Sequence, residues 1–161
     1  MKDYHKIKIS GTIESRGLVL ISVLGVTDRP GIAGEILSYM GENNINIEYI
    51  TESGNIDNSA DITFCISRDD LDRAEKLIRE IAEKVKAKDI KIYPGAAIIG
   101  VYGPHFREKP AIAGRLCRAL GREGINILSI STSISTVSCV IDDENFARAQ
   151  RAIKKVFLLP E

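Results

Sequence analysis

Residues 26–47 read VTDRPGIAGEILSYMGENNINI, and eighty residues later positions 109–127 read KPAIAGRLCRALGREGINI. Aligning Pro30 with Pro110 and running without a gap to Ile47 and Ile127 gives eight identities in eighteen positions. They are Pro, Ile, Ala, Gly, Gly, Ile, Asn and Ile, in that order. The two stretches also share a helical phase, with Ile32, Ile36 and Met40 in one and Ile112, Leu116 and Leu120 in the other. Self-similarity at a fixed period marks one structural unit used more than once. Here two copies of one small unit make the chain.

Each copy begins with an apolar run (residues 18–26, then 96–101) that stops at a turn-rich loop, with a proline near a helix start. Proline suits the first helical position because its missing N–H would be unpaired there anyway. Helices are therefore expected over residues 30–42 and 110–122. A helix that starts at the end of a strand exposes backbone N–H groups and a partial positive charge. That end accepts a carboxylate or phosphate, and an acidic side chain beside it, Asp28 in the first copy, attracts a cation. A molecule with both charges on neighbouring atoms is a free amino acid. The competing reading is that Asp28 only caps the helix.

Composition narrows the function classes. The 161 residues hold 22 Lys plus Arg against 22 Asp plus Glu, so the formal charge is zero. Nucleic-acid binders carry a basic surplus, and here there is none; the few aromatics (no Trp, five Tyr, four Phe) are not interleaved with basic residues. The first ten residues, MKDYHKIKIS, lack a hydrophobic signal core, and no apolar run nears the roughly 18 residues of a membrane span. A cytoplasmic protein without a membrane partner is expected. Cys65, Cys117 and Cys139 form an odd set without metal or redox spacing, which reads as small core residues in a reducing compartment. No metal or cofactor is expected.

Taken in order, residues 6–13 alternate Ile7, Ile9 and Ile13 with polar residues, a strand period. Ser15-Arg16-Gly17 reads as a turn. After strand 18–26 and the first helix come strands 46–51 and 61–67, separated by ESGNIDNSA, rich in turn formers. A helix follows from Asp69-Asp70 to about Lys88, then a strand carrying Ile90 and Ile92 that ends at Pro94-Gly95. This is a βαββαβ unit, an antiparallel sheet with both helices on one side. The second unit repeats it with strand 96–102, helix 110–122, strands 127–132 and 137–141, and a helix from Asp143 to about Val156. Its ending, VFLLPE, offers no clear fourth strand. The fold class is α+β: two ferredoxin-like units with boundaries at residues 16–94 and 95–161. Residues 1–15 are expected to supply the second unit's missing strand, either within the chain or by a swap between chains.

The motifs then converge on a family. DRPGIA after an apolar strand, the INIEYI strand and DITFCISRDDL resemble the first ACT domain of aspartate kinases. GPHFREKPAIAGRLCRALGREGINILSISTS followed by SCVIDDENFARAQRAI resembles the second, in the same order. The resemblance covers the regulatory region; the kinase domain is absent from these residues. It implies ACT units paired side by side in a homodimer, with a free amino acid such as lysine or threonine bound at an ACT–ACT interface. By position, Asp28 would meet the ligand's ammonium group and the backbone around Gly31, Ile32 and Ala33 its carboxylate. Glu52 and Ser53 would line the side-chain end, the loop over residues 54–59 would cover the site, and Arg29, Pro30 and Asn46 complete the candidate set. The family often has Gln and Asn where this chain has Glu52 and Ser53, and a carboxylate there favours a cationic or hydroxylated side chain.

In the second unit the equivalent set is His105, Glu108, Ala111, Ile112 and Asn126. Ala111 stands where the family has Gly, and Glu108 replaces an aligned Asp. The first unit is therefore expected to bind and the second to support. If the backbone at 111 needed a positive φ, alanine there would cost about 1 kcal/mol or more. The alternative function is a detachable regulatory subunit that works mainly by contact with a catalytic chain. Catalysis is not expected: His5 and His105 lie in unlike settings, no nucleophile–base spacing is present, and Arg29 with Asn46 is too generic a pair to define an acyl-phosphate site.

Overall fold

The shared helical stripe is buried in both copies. Ile32, Ile36 and Met40 are at most 2 % exposed, as are Ile112, Leu116 and Leu120. The computed structural model describes residues 5–104 and 106–161; His105 lies outside the described residues. In chain order the elements are β1 (Ile7–Lys8), β2 (Gly11–Thr27), α1 (Ile32–Glu42), β3 (Tyr49–Gly54), β4 (Ser59–Ser67), α2 (Leu71–Lys84) and β5 (Asp89–Tyr102). They continue with α3 (Ile112–Arg122), β6 (Ile127–Thr132), β7 (Thr136–Asp142), α4 (Phe146–Val156) and β8 (Phe157–Leu158). The chain divides into two units, Gly17–Gly95 and a second that joins the N-terminal segment through Arg16 to Ala96–Glu161.

In Gly17–Gly95 the strand order is β3-β4-β2-β5, with β4 antiparallel to both its neighbours. Val19, Ile21 and Val23 alternate along β2, so one face of the strand carries all three. They share a core with Ile36 and Met40 of α1 and with Ala74, Ile78 and Ile81 of α2. The α2 entry is a 3-10 turn over Arg68–Asp70 in which the Ser67 hydroxyl accepts the Asp69 N–H. Its counterpart before α4 uses Asp142, whose carboxylate accepts the Glu144 N–H at 2.9 Å. Short polar side chains at these positions satisfy donors that the helix start leaves unpaired.

In the second unit, residues 96–102 of β5 pair with β7, which pairs with the edge strand β6. The other side of β5 is taken by β2, whose first residues belong to this unit, and the Ser10 N–H reaches the Tyr102 carbonyl at 2.8 Å. Ile9 is 3 % exposed and shares the core of Ile99, Leu116, Phe146 and Phe157. Ile7 lies opposite Phe157 in the short parallel pair of β1 and β8. Arg16 pairs with Asp143 at 2.9 Å and stacks 4.7 Å from the Phe146 ring centre, a cation–π contact that fixes the plane of the guanidinium. The segment thus contributes backbone bonds, core volume and charge to one unit.

Several sequence expectations are corrected. Ser15-Arg16-Gly17 is not a turn, and Pro94-Gly95 does not end a strand: both lie inside the long strands β2 and β5. Gly17 and Gly95 adopt φ 66 and 75, so the strands accommodate left-handed glycines without breaking. α2 stops at Lys84, where Lys86 at φ 55 turns the chain left-handed, rather than continuing to Lys88. The strand expected over 6–13 is split between β1 and β2, and VFLLPE does contain a strand, β8. The expected 54–59 loop is mostly the tip of the β3–β4 hairpin.

Replacing Ile9 with Ala is expected to cost about 2–5 kcal/mol in urea unfolding, the range for truncating a buried aliphatic side chain. Ile56→Ala, at a fully exposed position, is expected to stay within about 0.5 kcal/mol of the parent.

Candidate functional site

At the end of β2 the chain leaves the sheet through Asp28, Arg29 and Pro30 and enters α1. The helix cap is Gly31 at φ 90, ψ −5, and no side chain caps α1. Proline therefore does not occupy the first helical position; it precedes a left-handed residue that only glycine adopts without strain. The absent side-chain cap also removes the competing role for Asp28. Ile32 N–H bonds to the Arg29 carbonyl and Glu35 N–H to the Gly31 carbonyl. Among the described residues, the first-turn N–H groups of Ala33 and Gly34 have no such carbonyl partner, as helix geometry dictates.

These groups border a depression of about 460 Å³, lined by Asp28, Arg29, Pro30, Gly31, Ile32, Ala33, Gly34 and Glu52. Arg29 is bound to Glu35 at 2.5 Å, so its charge is engaged and the Asp28 and Glu52 carboxylates set the sign of the wall. Asp28 is held by its backbone, its N–H donating to the Asn58 carbonyl at 3.1 Å. Gly54 lies against its carboxylate: a Cβ at Gly54 would stand 3.2 Å from Asp28 Oδ2. The hairpin tip is tied down by Asp57, which accepts from Ser59 and pairs with Lys88 at 3.0 Å. Those bonds, first the Ser59 hydroxyl and then the Lys88 ammonium, hold the Asp57 carboxyl well below the usual carboxylate range. The tip packs beside Asp28 but does not line the depression.

Of the residues singled out in the first unit, Asp28 to Ala33 and Glu52 come together. Ser53 does not, because successive strand residues point to opposite faces and Glu52 takes the inward one. Asn46 is exposed in the coil before β3 and is also absent from the lining. Gly34 lines the depression and escaped the sequence reading, although its identity with Gly114 in the repeat was a signal for it.

The second unit's equivalent is smaller and of opposite charge. A cavity of about 160 Å³ is lined by Phe106, Arg107, Lys109, Pro110, Ile112, Ala113 and the β6–β7 turn. Of the named set only Ile112 reaches it; Glu108, Ala111 and Asn126 do not. Phe106, 8 % exposed, forms part of the wall of this cavity. Ala111 has φ −90, in the right-handed region, so the second copy rebuilt this corner and carries no alanine strain. Among the described residues no cluster of three or more His, Cys, Asp or Glu side chains is placed to hold a metal, and no helix is long and apolar enough to cross a membrane. Cys65 and Cys139 are buried, and burial pushes each thiol up to about 12, far from the thiolate that reactive cysteines need.

Two ferredoxin-like units, each with a pocket at a strand-to-helix corner, define the fold class. The ACT domain family matches residues 19–84 and again 99–157, and the chain belongs to that family as a tandem pair. It is 33% identical over 151 residues to an aspartate kinase of Pseudomonas fluorescens, covering 94% of this chain and 37% of the relative. The chain therefore spans a little over a third of the length of the curated relatives it matches. Among solved structures it is similar to aspartokinase alpha and beta subunits, with TM-score 0.82 and 29% identity over 92% of this chain and 97% of the other. It also shares the fold of the regulatory subunit of aspartate kinase from Thermus flavus, with TM-score 0.84 and 22% identity over 94% and 99%.

At the two corners, reciprocal substitutions are expected to lower stability for different reasons, strain in the folded chain at one and freedom of the unfolded chain at the other. Gly31→Ala forces a Cβ into φ 90 and is expected to lower stability by about 1 kcal/mol or more, whereas Ala111→Gly loses about 0.4–1 kcal/mol through the unfolded chain's freedom. Equilibrium urea unfolding reads both. Because folding depresses the Asp57 pKa, its stabilisation is present above the unfolded value of about 4 and is lost as pH falls through it towards the folded one. Asp57→Asn is expected to flatten the acid limb of the stability profile below about pH 4 and to leave the rest of its shape unchanged.

Proposed function

We infer that the chain is a non-catalytic regulatory protein that binds a free amino acid at the first ACT unit. The observation that carries this is the corner itself. An Asp28 carboxylate without a capping role borders the same depression as the uncommitted N–H groups of Ala33 and Gly34. A carboxylate for an ammonium and N–H donors for a carboxylate is the complement of an α-amino acid. Glu52 on β3 extends the anionic wall toward the ligand's side chain and favours a cationic or hydroxylated one, such as that of lysine or threonine. Asp28 to Gly31 and Glu52 are solvent-exposed, so closing the site calls for a second wall, supplied in a homodimer by an ACT unit of the other copy.

Regulation follows by linkage. A ligand that prefers one pairing of ACT units shifts the population toward it, and whatever reads that pairing responds. Couplings of this kind run to about 1–3 kcal/mol. A second reading, a regulatory subunit that acts on a separate catalytic chain, is supported by the likeness to aspartokinase alpha and beta subunits, 29% identical over 92% of this chain. The two readings are compatible: the ligand pocket senses and the partner surface transmits.

A thermal-shift screen of the twenty amino acids at about 10 mM tests the sensor. For a dissociation constant near 100 μM the ligand adds roughly 2.7 kcal/mol, a rise of about 5–10 °C at this size. A shift restricted to one or two amino acids and lost in Asp28→Ala, with the melting point of the free variant unchanged, is expected. Wild-type binding by Asp28→Ala refutes the assignment of the site.

A further inference from the structure

The helices of the second unit carry a charge that those of the first do not. α3 holds Arg115, Arg118 and Arg122, α4 holds Arg148, Arg151, Lys154 and Lys155, and neither helix contains an acidic residue. α1, by contrast, holds Glu35 and Glu42 and no basic residue. The repeat makes the contrast positional. Arg115, Arg118 and Arg122 stand where the first unit has Glu35, Ser38 and Glu42, and Lys155 stands where it has Glu80. The buried stripe on the inner side of the same helices is apolar in both copies. A solvated helix face ordinarily mixes signs; here four neighbouring positions share one.

These four side chains border a single groove of about 490 Å³, shared with Ala111, Gly114 and Val156. Spacing of three and four residues puts the three guanidinium groups on one stripe, about 10 Å from first to last at 1.5 Å per residue. The small residues at 111 and 114 leave the first turn of α3 uncovered; a Cβ at Gly114 would meet nothing within 4 Å. The partial positive charge of the helix start adds to the same field. Arg115 is oriented by donating to the His5 carbonyl at 2.7 Å, and Lys155 is paired with Glu123. Arg118 and Arg122 have no carboxylate partner among the described residues. Like charges this close repel within a Debye length, and a polyvalent anion relieves that repulsion.

We propose that this groove binds a polyphosphate chain, carried either by a nucleoside triphosphate or as inorganic polyphosphate. A single carboxylate or phosphate cannot bridge guanidinium groups spread along two turns of helix, whereas a run of phosphates presents charge at each of them. Arginine's planar fork suits phosphate oxygens better than a lysine point charge. The groove is concave and falls in the size range of small-molecule sites, while an acidic protein surface calls for a broad face of about 800 Å². No aromatic side chain lines it for base stacking along a nucleic-acid strand. The site lies wholly in the second unit, so it stands or falls independently of amino-acid binding at Asp28.

The test is calorimetric titration of the full chain at low salt with ATP, inorganic tripolyphosphate and adenosine. ATP and tripolyphosphate are expected to bind, adenosine is not, and affinity is expected to fall as salt rises. The double variant Arg118→Glu/Arg122→Glu is expected to weaken binding at least ~10-fold while its circular dichroism stays that of the parent. Arg68→Glu, an exposed charge reversal in the first unit, is expected to change nothing. Binding of ATP alone assigns the site to a nucleotide, and tighter binding of tripolyphosphate assigns it to the inorganic chain. No binding of either anion at about 1 mM and low ionic strength overturns the proposal. Binding indifferent to the double reversal also overturns it, as does capture of an acidic protein through Arg118 and Arg122 by a chain that ignores both anions.

Discussion

The rest of the structure depends on Ile36 and Leu116, each with no exposed surface, at the middle of α1 and α3. Burying an aliphatic side chain completely contributes roughly 1.5–3 kcal/mol, and each has a partner one turn before and one after it. That stripe sets the rotation of the helix about its axis and the depth at which it meets the sheet. Once both are set, the first turn must emerge at the end of the preceding strand with its N–H groups turned outward. The pocket at the corner is thus a consequence of packing elsewhere. Its chemistry is then free to vary.

The two copies show that freedom. The same buried stripe supports a corner with Gly31 at φ 90 and an acidic depression of about 460 Å³ in one unit. In the other it supports Ala111 at φ −90 and a cavity of about 160 Å³ bordered by Arg107 and Lys109. Outer helical surfaces diverge too, toward mixed charge in α2 and uniform basic charge in α3 and α4. Core positions are constrained by volume and shape, because a lost methylene leaves a cavity. Exposed positions carry little such cost, so they are where a duplicated unit acquires a second use.

Much of the fold was legible in the residues, for the same reason. Periodicity placed α1 and α3 because each buries one regular stripe, and the repeat placed the edge strand β6. Boundaries were less legible where backbone geometry, not burial, decides. Gly17 and Gly95 look like chain reversals, yet left-handed glycines also sit within strands. The site was readable to the extent that it is local: Asp28 to Ala33 are consecutive, and Glu52 lies on the strand that follows α1. Ser53 and Asn46 show the limit, since which of two adjacent residues faces a pocket depends on register.

By itself, the sequence determined that one α+β unit is used twice, that no strong net charge favours nucleic acid, and that the first corner carries an acid beside a helix start. These follow from composition and from short-range periodicity, which act over a few residues. Only the tertiary structure decided that Asp28 is free of a capping role, that Phe106 forms part of the second corner's cavity wall, and that Arg115, Arg118, Arg122 and Lys155 share one groove. Each of these depends on where residues distant in the chain meet or on one backbone angle. Neither is encoded by residue type alone; both are set when the helices settle on the sheet.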